Sequence, residues 1–510
     1  MTNAILALTI AMAQTVAPAK VTQADFAGLR FLEGSWKGSG YAPGPFYESY
    51  RFVNDSTIEM ASGTDSTFAK KSDSTIYVFR NGEIRSRNGE AAVVRIDSLG
   101  YHFQRLNGQS RWVFRRISPD RWTATLNNGR TVYTLDRAGQ TWPRSTPQAE
   151  GLNPQPLEQM LNRIKANEFG NVDRLVVVRN GKLVLDERFP RDYRVISTGK
   201  SSPIGCGIDA CKDSARAHHY NYLHPDYHPW WMGTEQHTLQ SVTKSVAATV
   251  IGTAIQHGAI KSVDTPLLSF FKSYDLSKVD PRLQKATLKD LLTMRSGIEW
   301  HEIDRPLDET NTTLQLERSA DWIRFTLSQP MDAEPGVKWA YNSGGSQLMA
   351  EVIRQSTGKH ADEYAQQFLF APLGITRWHW KRTPTGHPDT EGGLYLEATD
   401  LARIGQLYLD DGVWQGKRIL PAGWAREATA RLVQNINPAN TNTPGYGYQW
   451  WRYDRRGVDV WAGNGFGGQF LIIIPQARMV AVTNAWNVFG DRVPGTLSPL
   501  IDAMMAAAGI

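Results

Sequence analysis

Between Phe26 and Asp136, apolar and polar residues alternate in short runs, as in Thr123-Ala124-Thr125-Leu126 and Thr131-Val132-Tyr133-Thr134-Leu135. A period of two marks strands with one buried face. Four Asn-Gly pairs punctuate the stretch: Asn81-Gly82, Asn88-Gly89, Asn107-Gly108 and Asn128-Gly129. Asn-Gly accepts the positive φ that a tight hairpin demands, so the spacing predicts an antiparallel meander forming a small β-barrel or sandwich. After an aperiodic stretch over 137–156 rich in Gly, Pro, Ser and Thr, the texture becomes mixed α/β. The spacing predicts a helix over Leu157–Ala166, a strand Arg174–Val178, a turn at Asn180-Gly181 and a strand Lys182–Glu187. Residues 197–236 read as a long loop rich in Gly, His and aromatics, and several helices follow. Two strands, Gln469–Ile474 and Met479–Val482, flank Pro475, and a helix over Leu497–Ala508 closes the chain. Strands at both ends with helices between predict one sheet built from both termini of this region.

The chain has 510 residues, 41% hydrophobic and 21% charged, which excludes a disordered chain and a membrane bundle. No apolar run approaches the ~18 residues that a bilayer span needs, so stable membrane insertion is not expected. The predicted organisation is a signal peptide over 1–20, an all-β barrel over 22–138, a linker over 139–154 and a second domain over 155–510. The apolar stretch Ala4–Ala13 ends in Ala11-Met12-Ala13, a small-x-small pattern resembling a signal-peptidase site, although no Lys or Arg precedes it. A periplasmic or secreted location is therefore expected. The two cysteines, Cys206 and Cys211, would in that compartment be able to close a small ring; whether they are bonded is left open.

The net charge is +6, and 17 basic against 12 acidic residues between Val21 and Thr146 carry most of it. These basic residues are interleaved with apolar ones, as in Arg111-Trp112-Val113-Phe114-Arg115. They predict a solvated strand face and no nucleic-acid partner. Phe31-Leu32-Glu33-Gly34-Ser35-Trp36-Lys37-Gly38 resembles the first strand of lipocalin-like barrels. A docking or chaperoning module, with intramolecular docking of the barrel, is the plainer expectation than ligand binding.

Ser241-Val242-Thr243-Lys244 is one of four Ser-x-x-Lys tetrads; the others begin at Ser197, Ser269 and Ser356. The first and last of those three carry Gly inside the tetrad, which weakens a helical turn, and Ser269 falls near the end of an expected helix. Only Ser241 opens a strong helix pattern, with Val242, Val246, Val250 and Ile251 recurring and Gly258 as its stop. Three residues along a helix place Lys244 on the face of Ser241. A serine hydroxyl needs a base to become a nucleophile. A lysine serves if burial and the positive end of the helix depress its pKa from about 10.4 toward neutrality. By itself the tetrad would read as an N-cap serine beside a solvated lysine.

Two later segments change that reading: Tyr341-Asn342-Ser343, and Gly463-Asn464-Gly465-Phe466-Gly467-Gly468-Gln469 before an Ile-rich strand. Ser-x-x-Lys, Tyr-x-Ser and a Gly-rich strand entry, in that order, resemble the penicillin-recognising serine hydrolases. The resemblance is to the class C β-lactamase-like group, which includes esterases, D-aminopeptidases and 6-aminohexanoate-dimer hydrolase. Leu291-Leu292-Thr293-Met294-Arg295-Ser296-Gly297, Pro372-Leu373-Gly374-Ile375, Gly392-Gly393-Leu394 and Tyr446-Gly447-Tyr448-Gln449-Trp450-Trp451 resemble that group's other landmarks. The resemblance implies an α/β (α+β) domain with an antiparallel sheet flanked by helices.

It also implies a set of roles. Ser241 is the acylated nucleophile, Lys244 its base, and Tyr341 the carrier of a proton to the leaving group. Ser343 orients the lysine and substrate. The N–H groups of Ser241 and Phe466, beside Gly465, form the oxyanion hole. No metal or organic cofactor is implied, and the partner is a small-molecule ester or amide. Trp450 and Trp451 are candidates for substrate selection, with core packing as the competing reading. The chain departs from penicillin-active relatives at Gly463, where they carry Lys or His. Losing that charge-assisted contact should weaken β-lactam binding by about 1.5–3 kcal/mol, and the glycine is expected to leave room for a bulkier or uncharged acyl group.

Gly463-x-Gly465-x-x-Gly468 matches a dinucleotide fingerprint, but a strand follows where that motif needs a helix. His218, His219, His224 and His228 match no zinc spacing; an aromatic loop roofing the cleft is expected there. The reading is a serine hydrolase cleaving an ester or amide. A peptidase for D-amino-acid or cell-wall peptides, a weak β-lactamase, and a catalytically silent binding protein are the alternatives.

Overall fold

The computed structural model describes residues 16–510 apart from 43, 69, 87–88, 109, 119, 127–130, 140–141, 201–219, 438, 441–442 and 490–493. The Ala11-Met12-Ala13 pattern, Cys206, Cys211, His218, His219, Asn88 and Asn128-Gly129 lie outside the described residues. Two units separate at Gly139 and Gln140.

In the first unit ten antiparallel strands run from Gly34–Ala42 to Thr131–Arg137, and the first pairs with the last, Trp36 opposite Arg137. Closure removes the exposed edges that an open meander would carry. At one hairpin Asn81 and Gly82 take φ of 53° and 72°, joining Arg80 to Glu83 as an Asn-Gly turn requires. The inward positions are aromatic: Trp36, Tyr50, Tyr77, Phe103, Phe114 and Trp122 form one buried cluster. Trp36 meets Trp122 edge-on with ring centroids 6.1 Å apart. Arg111, Arg115 and Arg116 are exposed on their strand, a solvated basic face.

The second unit is built on a seven-stranded antiparallel sheet. Its order is Lys182–Arg188, Val172–Arg179, Met479–Ala485, Gln469–Ile474, Val458–Gly465, Trp451–Arg455, Gly445–Tyr446, so both ends of the unit meet in it. Five helices matter for the site: α1 (Gln155–Lys165), α2 (Val242–Gln256), α3 (Ser343–Thr357), α4 (Ala398–Leu409) and α5 (Leu497–Ala508). Alternate strand residues face opposite layers. Leu175, Val177, Ile472 and Ile474 pack with α1 and α5, whereas Val176, Val178, Leu471 and Ile473 pack with α2 and α4. Cover on both faces explains why these strands read as unbroken apolar runs.

Every residue of α2 from Val242 to Ala254 is buried. The expected apolar face is therefore a helix buried all round, the mark of a central helix. Its approach to neighbours depends on Gly252, where a Cβ would stand 2.7 Å from the Trp424 ring. In the 197–236 segment, of which 201–219 lie outside the described residues, Tyr222 and Trp231 are buried while Pro225, Trp230, Gly233, Thr234 and Glu235 line an open cavity. Tyr222 stacks on Trp486 and His228, with centroids 5.8 and 4.9 Å away, and Trp231 stacks on His379. Stacking of these rings buries large apolar surface, which places them in the core. Among the described residues no helix is long and apolar enough to cross a membrane.

Candidate active site

Ser241 sits immediately before α2, reached from the short strand His237–Thr238, which pairs with Leu394–Leu396. Between strand and helix, Gln240 takes φ of +46°, in the left-handed region. For a residue with a Cβ that conformation costs about 1–2 kcal/mol, and it holds the serine at a sharp strand-to-helix turn. Gly465, at the end of its strand, presses on this turn: a Cβ there would lie 2.4 Å from Leu239 O and 3.1 Å from Gln240 Cβ. Only glycine fits so close to main chain. Among the described residues neither the Ser241 N–H nor the Phe466 N–H is donated to a carbonyl.

Lys244 is buried, and its Nζ lies 2.9 Å from Ser241 Oγ, 2.7 Å from the carbonyl oxygen of Glu391 and 3.1 Å from Glu391 Oε2. The Nζ also lies 5.2 Å from the centre of the Tyr341 ring. Tyr341 is buried and Ser241 acts on its hydroxyl to lower the pKa, so Ser241, Lys244 and Tyr341 stand in one site. Burial pulls the Lys244 pKa down, but Tyr341, Glu391 and Glu302 outweigh it and hold it above the ordinary lysine value. The sequence argument expects a depressed amine. The sign is reversed because it lacked the two carboxylates that face the ammonium. Burial likewise raises Tyr341, against the lowering effect of Lys244.

Glu391 had no signal of its own in the sequence beyond its place before Gly392-Gly393-Leu394. The structure explains that landmark. Asp389 Oδ1 accepts from the N–H groups of Glu391 and Gly392 at 3.1 and 2.9 Å, and a Cβ on Gly393 would meet Asp389 Cβ at 2.6 Å. The tight turn aims Glu391 at Lys244. Glu302 was missed as well. It accepts from Ser343 Oγ at 2.8 Å, Ser343 N at 3.0 Å and Trp300 Nε1 at 3.0 Å. Ser343 is fully buried, and its described hydrogen bonds go to Glu302, not to Lys244.

Trp451 stacks on Tyr341 with centroids 5.7 Å apart, and Trp339 packs against both. Trp450 points the other way: it is fully buried against Tyr408, centroids 4.6 Å apart, in the core. Adjacent strand residues face opposite sides, so only one of this pair reaches Tyr341. At Gly463 the expected room in the cleft is absent. A Cβ there would stand 3.1 Å from both Ser245 Oγ and Val242 Cγ1, so α2 has taken the space.

A serine and lysine at the head of a buried helix, against an antiparallel sheet made from both chain ends, define the serine β-lactamase-like fold. The family described as Beta-lactamase matches residues 170–493. The chain belongs to that family, and with it to the serine hydrolases. Among curated relatives, an uncharacterized protein of Alkalihalophilus pseudofirmus is 29% identical over 285 residues, 50% of this chain and 75% of its own length. The 6-aminohexanoate-dimer hydrolase of Paenarthrobacter ureafaciens is 27% identical over 297 residues, 53% of this chain and 73% of its own. The solved structure of a Bacillus anthracis protein provisionally assigned as a 6-aminohexanoate-dimer hydrolase superposes with a TM-score of 0.53. It is 22% identical and covers 73% of this chain and 88% of its own, a likeness of fold.

Proposed function

We propose that this protein hydrolyses a carboxylic ester or amide through an acyl-enzyme on Ser241. The observation that carries the reading is the 2.9 Å contact between Lys244 Nζ and Ser241 Oγ inside a buried site that also holds Tyr341. Lys244 takes the serine proton as Oγ attacks the carbonyl carbon, and Tyr341 carries a proton to the departing alcohol or amine. The N–H groups of Ser241 and Phe466 hold the oxyanion; such donors are worth about 10²–10³ in rate. Water then releases the acid and frees Ser241. Trp451, stacked on Tyr341, offers a flat aromatic wall to the substrate. The amide-cleaving name of the 27%-identical relative supports this class of substrate. Gly463 brings no cation to the cleft, which favours esters and simple amides over β-lactams.

The test is intact-mass spectrometry after brief exposure to a small activated ester, followed by peptide mapping. One acyl group on Ser241, absent from Ser241→Ala, is expected. Folded protein without an adduct on Ser241 would overturn the reading and leave the silent binding protein in front.

A further inference from the structure

An ammonium has three hydrogens and no lone pair. At Lys244 three acceptors surround Nζ: Ser241 Oγ, the Glu391 carbonyl and Glu391 Oε2, at 2.9, 2.7 and 3.1 Å. In that arrangement the lysine cannot accept the serine proton until it has passed one on. Of its three partners only the Glu391 carboxylate is an anionic acceptor.

We propose that Glu391 is the site's proton acceptor: as Ser241 Oγ attacks, its proton passes to Lys244 Nζ while a second proton passes from Nζ to Glu391 Oε2. The Oγ–H and one Nζ–H bond break, a new Nζ–H and an Oε2–H bond form, and the carbonyl oxygen takes up the electron pair. Lys244 stays an ammonium throughout, and Glu391 goes from carboxylate to acid. When the leaving group departs, the proton returns from Oε2 to Nζ, and one from Nζ reaches the leaving atom through Tyr341. Glu391 touches no substrate atom and acts through Lys244; it is a positioning residue. The inference rests on the Ser241 reading above.

The surroundings fit this role. Glu391 is almost wholly buried, so its charge acts on Nζ with little solvent screening. Its carbonyl grips Nζ independently of its side chain, so the lysine keeps its place when the carboxyl group is neutral. The raised Lys244 pKa agrees with an ammonium at rest. The other charged and titratable groups facing the pair are Tyr341 and Glu302 toward both, and Asp389, Glu317, Lys381, Tyr220 and Tyr222 toward Glu391.

The experiment measures acylation rates of the full chain with a small activated ester from pH 5 to 10, for the parent, Glu391→Gln, Glu391→Asp and Ser241→Ala. Gln keeps the shape and a hydrogen-bond acceptor but not the basicity. In Glu391→Gln the acid limb of the profile is expected to move up by more than one pH unit, as Lys244 must then shed its proton to solvent, with at least a tenfold loss at pH 7. Glu391→Asp is expected to return the limb to the parent position at a lower plateau. A limb that stays put, or a loss uniform across pH, would overturn the inference while leaving the Ser241 reading intact. Acylation that persists in Ser241→Ala would overturn that reading instead. Should Glu391→Gln not fold, the proton inventory of parent acylation in H2O–D2O mixtures decides. Two protons in flight give a curved inventory, and a straight line overturns the relay.

Discussion

Gly463 is occupied on its side-chain face by Ser245 and Val242, each 3.1 Å from where a Cβ would stand. A side chain introduced there requires Ser245 and Val242 to give by a few tenths of an ångström. Gly463→His is therefore expected to destabilise the second unit by the ~1–3 kcal/mol of an overpacked core, with no gain in hydrolysis of a chromogenic cephalosporin. Urea denaturation and a turnover assay check both parts. A stable variant with new cephalosporin turnover would restore the view that the glycine merely vacates the cleft. At this scale Ser241, Lys244 and Tyr341 were legible because each belongs to a tetrad or triplet with a fixed order. Glu391 and Glu302 were not. One acts from the turn before a glycine pair and the other from 41 residues before Ser343, and no local spacing links a carboxylate to a partner supplied by folding.

Among the elements, Gln449 shows how a family landmark earns its place through structure. Its carbonyl accepts from Ser245 Oγ on α2 at 2.6 Å, and its Oε1 accepts from Ser346 Oγ on α3 at 2.8 Å. Its Nε2 donates to Leu292 O at 2.9 Å. One buried residue thus meets both helices, α2 through its main-chain carbonyl and α3 through its side chain. Gln449→Leu removes the side-chain bonds to Ser346 and Leu292, while the Gln449 N–H still reaches Leu292 O and Ser346 Oγ still reaches Asn342 O, so the loss is about 0.5–1.5 kcal/mol for each bond. The denaturation midpoint should fall accordingly. An unchanged midpoint would show that neighbouring groups replace the bonds. Strands and terminal helices were legible from periodicity. The helix Leu497–Ala508 and the strands flanking Pro475 stand where the pattern puts them. The pattern did not reveal that α2 is buried on every side, because an apolar stripe looks the same whether its back meets water or another layer.

At the scale of the second unit, several buried acids are held above their ordinary range. Burial raises Asp389 to about 7, reinforced by Glu391 and offset by Lys381, and burial raises Glu302 and Glu317 as well. In the folded protein Asp389 keeps a proton that the unfolded chain releases near pH 3.9. Its favourable contribution is complete below that value and is lost as pH rises through about 7. Burial pulls His257 and His387 down, which tilts stability the opposite way over the same range, so variant must be compared with parent. Asp389→Asn is expected to gain on the parent steadily from pH 5 to 8 in thermal unfolding. A difference constant with pH would show that Asp389 does not carry the titration.

The sequence by itself determined the two textures, the hairpin turns, the chain order of the strands and the serine-lysine-tyrosine set. Each of these depends on neighbours within a few residues or on a motif with fixed internal spacing. Tertiary structure alone decided that the barrel has ten strands with its first paired to its last, that Trp450 belongs to the core while Trp451 meets Tyr341, and that α2 packs against Gly463. It also decided which charges surround Lys244. A buried charge responds to every charge within several ångströms, and the carboxylate that contacts Lys244 stands 147 residues further along the chain.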